Sequence, residues 1–230
     1  MLYQNDDSGK DYLNGFIAGF GKDKDKFLIK TASYEVTDPT VDSQIIQLKD
    51  SGADVLFNDA APKAAAQAIR KVADLGWKPA HYLANVAASV ASTLKPAGLD
   101  NSTGIITAAY LKDPTDPQWA NAPDFLEWKA WMEKYLPQGN MSDASYTYAY
   151  SVSATMRHVL TECGNELTRA NLMKQAASMH DLVVPILLPG IKINTSPTDF
   201  YPIQSVQLAR FDGETWKLFG DVLSSEKRSQ

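Results

Sequence analysis

Ala53-Asp54-Val55-Leu56-Phe57 runs directly into Asn58-Asp59-Ala60-Ala61-Pro62, and the reading of this stretch decides the fold class. A short apolar run bounded by Asn, Asp and Pro reads as a strand that turns into a helix. The following residues agree, because Ala65, Ile69, Val72 and Ala73 recur at helical spacing before Gly76 supplies a stop.

The same unit recurs on either side. Upstream, Met1-Leu2-Tyr3-Gln4-Asn5-Asp6-Asp7-Ser8-Gly9-Lys10 reads as a strand running into a helix whose stripe is Tyr12, Leu13, Phe16, Ile17 and Phe20. Lys22-Asp23-Lys24-Asp25-Lys26 is expected to be a solvated turn, and Phe27 to Tyr34 a strand. Asp38-Pro39 reads as a helix start, an Asp cap with Pro in the first turn, ahead of buried Val41, Ile45 and Leu48. Downstream, His81 to Ala84 is a short strand, followed by Asn85 and a small-residue helix to about Leu94. Gly104 to Ala109 is one more strand. Strands alternating with helices imply βαβ units with right-handed crossovers. The fold class is therefore α/β, a Rossmann-like parallel sheet flanked by helices.

The pattern changes at Tyr110. Lys112-Asp113-Pro114-Thr115-Asp116-Pro117 cannot be regular, since each Pro removes a donor and restricts its predecessor. Tyr110, Asp113 and Pro114 mark the expected crossover to a second body. Three helices follow, Pro123 to Tyr135, Asp143 to Cys163 and Thr168 to Met179. Their stripes are Trp128, Met132 and Tyr135; Val152, Met156, Val159 and Leu160; and Leu172 and Ala176. Only Ile191-Lys192-Ile193 looks strand-like among them. Ser205 to Phe219 alternates around Asp212-Gly213, a hairpin signal.

The chain has 230 residues, of which 44% are apolar and 21% charged, enough to bury a sizeable core. A formal net charge of −5 argues against a nucleic-acid partner. No window approaches a membrane span, and Met1 is not followed by a signal-peptide pattern, so the chain as written is expected to stay in the cytoplasm. Cys163 is the single cysteine. It reads as a small buried apolar residue or as the partner of a cysteine outside this sequence.

Few motifs point to chemistry. Ser8-Gly9-Lys10 lacks the upstream glycine of a phosphate loop, and Gly15, Gly19 and Gly21 lie within or after a helix, where close packing on the sheet explains them. His81, His158 and His180 show no metal-ligand spacing, and no nucleophile motif is present. The expectation is a binding protein with no cofactor, no metal and no catalytic residue. Open parallel sheets bind ligands outside the carboxyl ends of their strands. Three turns fall there: Asp6-Asp7-Ser8, Asn58-Asp59-Ala60-Ala61 and Asn85-Val86-Ala87. The ligand-binding candidates are Ser8, Asn58, Asp59, Ala60, Asn85 and Val86.

Leu2 to Tyr12, Asp38-Pro39-Thr40-Val41-Asp42-Ser43-Gln44, Gly52-Ala53-Asp54-Val55, Ala68-Ile69-Arg70-Lys71, Tyr110 to Pro114, Ser196 to Pro202 and Arg210 to Gly213 together carry a resemblance. Over residues 1 to about 222 the chain resembles the substrate-binding proteins of ABC transporters, of the leucine/isoleucine/valine-binding type. That resemblance implies two Rossmann-like lobes that close on a ligand. Residues 1–112 and 203–222 would be most of the second lobe, residues 118–202 a mostly helical remnant of the first, and 223–230 a disordered tail. The first half of the first lobe would have no counterpart here.

The implied function is uptake of a small carboxylate, an amino acid or an aromatic or aliphatic acid, without chemistry. The implied partner is an ABC permease and the implied compartment the periplasm. The family pattern often has an aromatic residue where Ser8 stands, another at the Asn58-Asp59-Ala60 turn, and an acid after the fourth strand, where Asn85-Val86 stands. Without that acid an amino group loses its expected partner, and a simple carboxylate fits at least as well. Uncovered faces, with Trp128, Trp131 and Met132 among them, are expected to drive homo-oligomer formation. The competing readings are an orphan lobe that acts only through association, and an α/β enzyme on the same scaffold.

Overall fold

The computed structural model describes residues 1–225. The first strand, β1 (Leu2–Gln4), leads into α1 (Asp7–Phe20), whose first turn is capped by Asp6. β2 (Ala32–Tyr34), α2 (Asp42–Asp50), β3 (Val55–Asp59), α3 (Pro62–Asp74), β4 (Ala80–Leu83) and β5 (Ile106–Ala109) follow in alternation. The sheet runs β2-β1-β3-β4-β5, then β6 (Ser205–Phe211) and β7 (Trp216–Ser224), seven strands in all. β1 pairs with β2 and β3, β3 with β4, and β4 with β5, all in parallel, as the βαβ reading requires.

Register assigns each side chain to a face. Leu2 sits opposite Asn58, and Asn58 opposite Leu83, so these three share one face, while Tyr3 and Asp59 share the other. Phe57 lies on the Asp59 face and packs its ring 5.2 Å from Phe16 of α1. The interior is built from Leu2, Leu56 and Leu83 of the strands with Ile45 and Leu48 of α2 and the small stripe Ala65, Ala68 and Ile69 of α3. Alanines there let α3 lie close; roughly 25 cal/mol per Å² of apolar surface removed from water supplies the drive.

Gly9 fixes how α1 leaves β1. A Cβ there would stand 2.0 Å from the Gln4 carbonyl oxygen, so only glycine fits. Gly15 and Gly19 are the reverse case. A Cβ on either meets nothing within 4 Å, which overturns the close-packing expectation for them.

Several element boundaries also depart from the sequence reading. Lys24–Phe27 is a helical turn and the strand begins only at Ala32, because Phe20 and Phe27 stack at 4.9 Å and pull the chain round. Asp38 does not cap a helix; it accepts from the Glu35 amide, and α2 starts at Asp42. Asn58 and Asp59 belong to β3 itself rather than to the turn after it. Beyond β4 the chain forms a 3-10 turn (Asn85–Ala87) and a π-helical segment (Val90–Leu94), not one α-helix.

By contacts the chain divides into two units. One is Met1–Ala108 with Ala209–Lys217; the other is Ala109–Leu208 with the chain from Leu218 onward. The hairpin around Asp212-Gly213 thus belongs partly to each. Asp212 closes it by accepting from the Glu214 and Thr215 amides, and Gly213 takes φ 107°. The disordered tail expected from residue 223 is corrected, since β7 extends to Ser224; residues 226–230 lie outside the described range.

The second unit holds α4 (Pro123–Tyr135), α5 (Ala144–Glu162) and α6 (Arg169–Ala176). Trp128 and Met132 are buried with Phe125 and Ile186, which corrects the expectation that they lie uncovered. Their cover is Ile186 of the irregular segment 177–204, with Leu111, Trp119 and Ala122 ahead of α4 and Tyr146 and Tyr150 of α5. Ile186 reaches α4, and the Ile186 amide donates to Asp124, whose carboxylate also takes Lys112 at 2.6 Å. Ile191-Lys192-Ile193 forms isolated bridges, Ile193 to Leu182 and to Ile203, rather than a strand. Cys163 is buried, as its apolar reading implies. On α5, Val159 is buried while Val152 (48% exposed), Met156 (49%) and Leu160 (45%) face outward.

Candidate functional site

The carboxyl ends of β2, β1, β3 and β4 lie side by side, and a chain of hydrogen bonds joins three of them. The Ala61 amide, just past β3, donates to the Tyr34 hydroxyl at 2.8 Å, and that hydroxyl donates to Gln4 Oε1 at 3.0 Å. Gln4 Nε2 in turn donates to Asp6 Oδ2. The other Asp6 oxygen accepts from the Gly9 amide at 2.9 Å, which closes the first turn of α1. The Gly9 bond first, and the Gln4 bond after it, hold the Asp6 carboxyl below the usual carboxylate range.

Asp59 stands at the end of β3 in a different condition. It is 6% exposed, and no donor among the described residues bonds its carboxyl. Ion pairs among the described residues use other carboxylates, Asp42, Asp124, Asp181 and Asp212. Desolvation, with the nearby Asp6 charge second, pushes the Asp59 pKa up to about 7. Its charge is felt by two phenols. Burial chiefly, and Asp59 after it, raise the pKa of Tyr12 on α1. Tyr34 is raised by burial and by Asp59 and Asp6, against a lowering hydrogen bond from Ala61.

The opposite face of β3 is closed. Asn58 is 0% exposed, and its Nδ2 lies 3.3 Å from Nε2 of His81. Full burial lowers the His81 pKa to about 4, so the ring is neutral at pH 7; Nε2 then accepts and Nδ1 carries the proton. Asn58 Oδ1 is left without a partner. Asn58 therefore braces the strand end from beneath rather than meeting solvent.

Of the other sequence-derived candidates, Ser8 is exposed in the first turn of α1, and Ala60 is buried beside Asp59. Asn85 is half-buried and Val86 60% exposed in the turn after β4. The structure brings Ser8, Asp59, Ala60, Asn85 and Val86 to one edge of the sheet and leaves Asn58 inside. Tyr110, Asp113 and Pro114 lie in the second unit, immediately after β5, where the Asp113 carboxyl accepts from the Thr115 amide at 2.8 Å. Tyr12, Tyr34 and Gln4 were not singled out by sequence. Tyr34 ends a strand and Tyr12 sits in an apolar stripe, so each looked like core.

An open parallel sheet with polar groups gathered at its strand ends defines a class, the α/β proteins that take a ligand outside the carboxyl edge. The match of a periplasmic binding protein family model to residues 1–215 then makes the assignment: the chain belongs to the periplasmic binding protein family. Solved structures agree in fold. A branched chain amino acid ABC transporter protein from Thermus thermophilus with bound valine matches with a TM-score of 0.75 at 13% identity, over 97% of this chain and 59% of that one. A possible leucine/isoleucine/valine-binding protein from Rhodopirellula baltica SH 1 matches at 0.74 and 15% identity, over 95% and 58%. A substrate-binding periplasmic protein from Ralstonia solanacearum matches at 0.71 and 18% identity, over 97% and 60%. The chain thus spans about three-fifths of the length of these structures. No curated protein matches it. Among the described residues no helix is long and apolar enough to cross a membrane.

Proposed function

We propose that this chain is the solute-binding part of an ABC-type uptake system. It binds a small carboxylic acid, in the amino-acid range, at the strand ends of its first unit without changing it chemically. The observation that carries the reading is the gathering of Ser8, Asp59, Ala60, Asn85 and Val86 at one sheet edge, with Tyr34 and Gln4 locking the geometry beneath. Family membership supports it, as does the fold shared with a protein solved with bound valine. An ABC permease is the partner and the periplasm the working compartment under this reading.

Thermal unfolding against branched-chain amino acids, aromatic acids and short dicarboxylates tests it. A ligand that binds only the folded state stabilises by roughly 2.7 kcal/mol at one hundred times its dissociation constant. A cooperative melt with no saturable shift from any of them removes the proposal.

One observation favours a second reading, in which the chain works through association. Tyr148, Val152, Met156 and Leu160 form an i, i+4 ridge along α5, each about half exposed. Such ridges pack into the grooves of a second helix, and a second copy supplies one. Light scattering decides: a monodisperse monomer at high concentration excludes the homo-oligomer.

A further inference from the structure

The Asp59 carboxyl is coupled to an anion, Asp6, and to two uncharged hydroxyls, those of Tyr12 and Tyr34. Asp6 lies near enough for its charge to raise it. The Asp59 charge acts on two phenols, Tyr12 of α1 and Tyr34 of β2. Lys10 acts on Asp6 from the first turn of α1, yet it makes no ion pair with either carboxylate. Burying a carboxylate without a cation or a donor is costly, and folded proteins rarely leave one so. Asp59 is nevertheless reachable, because neither of its oxygens is among the fully enclosed unpaired atoms and its residue keeps 6% exposure.

The Tyr34 hydroxyl cannot turn to Asp59, since it already donates to Gln4. The first amides of α1 cannot offer an anion site either, because Asp6 occupies Gly9 and Asp7 adds a further acid to that turn. A bare ligand carboxylate at this edge would therefore meet two carboxylates and an already filled helix terminus. A cation meets the reverse.

We propose that Asp59 is a specificity-determining residue that receives the ammonium group of the ligand. This rests on the solute-binding reading and narrows it. The ligand presents a primary ammonium to the first unit, and the acid that takes it stands at the end of β3 rather than in the turn after β4, where Asn85-Val86 lies. An acid without an amino group is then a poor ligand for this edge.

The experiment is calorimetric titration of the full chain with matched sets: leucine and phenylalanine, their deaminated forms isocaproate and hydrocinnamate, and their decarboxylated forms isoamylamine and phenethylamine. The expected result is saturable heat from the amino acids and detectable binding of the amines, with the deaminated acids at least ~10-fold weaker. Asp59→Asn weakens the amine-bearing ligands by at least ~10-fold and leaves the deaminated acids unchanged. Because the free carboxyl titrates near 7, ligand binding at that pH releases about half a proton, read from heats in buffers of different ionisation enthalpy. A merely structural role for Asp59 would weaken binding in the variant without that release. Deaminated acids that bind as tightly as their parents, with Asp59→Asn unaffected, overturn the inference and leave the solute-binding reading standing. No saturable heat from any compound overturns both.

Discussion

In the first unit the apolar stripes of α2 and α3 are taken up, with Ile45, Leu48, Ala65, Ala68 and Ile69 all buried. In the second unit α4 buries Phe125, Trp128 and Met132, while α5 turns Val152, Met156 and Leu160 outward. The first unit has parallel strands as a common surface. In the second, the irregular segment 177–204 packs through Ile186 on α4. Through Val184, Leu187 and Leu188 it packs on Val159 of α5 and on Leu172 and Ala176 of α6, yet part of α5 stays open. A sheet offers several helices a continuous face, whereas an irregular segment covers only the stretches of helix that its own apolar side chains reach.

The comparison breaks first at Gly9. If the sheet unit depends on α1 leaving β1 at a fixed close approach, Gly9→Ala costs more than about 3 kcal/mol, since backbone rather than a side chain stands in the way. Urea unfolding measures this, and a cost under about 1 kcal/mol would show that the junction relaxes freely.

The two faces of β3 come next, because they answer acid in opposite senses. Asp59 is raised to about 7, so the folded state holds its proton over a range where the unfolded chain has lost it. Its contribution is present at low pH and is lost as pH rises through about 7. His81 is lowered to about 4, so its contribution is present above the ordinary histidine range and is lost as pH falls through about 4. Between those values the two slopes oppose, and the wild-type chain should be nearly flat. Asp59→Asn should unmask a loss on acidification of about 2 kcal/mol, after discounting for screening. His81→Gln should give the opposite tilt. Parallel profiles for both variants would contradict the assignment.

Smaller effects sharpen the picture. Thr93 is fully buried with an unpaired hydroxyl, so Thr93→Val should stabilise the first unit by about 1 kcal/mol. Gly15→Ala, in an open stretch of helix, should gain about 0.5–1 kcal/mol by thermal melt. Least of all in stability, Met156→Glu should change it by under about 0.5 kcal/mol while abolishing self-association in sedimentation. A dimer that survives it is not held by the α5 ridge.

The alternation of strand and helix was legible because its period is local, and the α4 boundaries fell where Pro123 and Tyr135 suggest. The end of β3 was not. Asn58 and Asp59 look like turn residues until His81, 23 positions away, is seen to supply the partner that lets Asn58 be buried. The glycines misled for a related reason. Gly15 and Gly19 are conspicuous in sequence and touch nothing, whereas Gly9 meets a carbonyl five residues back that only the fold brings close. In the second unit, residues 177–204 carry no period at all, so their part in covering Trp128 could not be read from pattern.

Gln4 has a consequence for how such a chain can change over time. Its amide must show oxygen to Tyr34 and nitrogen to Asp6 at once, a two-sided fit that neither glutamate nor leucine can supply. Positions 4, 6 and 34 are thus not free to drift singly. Among descendants of this sequence they should covary, and a replacement at one of them should be found with its compensating replacement already in place at another.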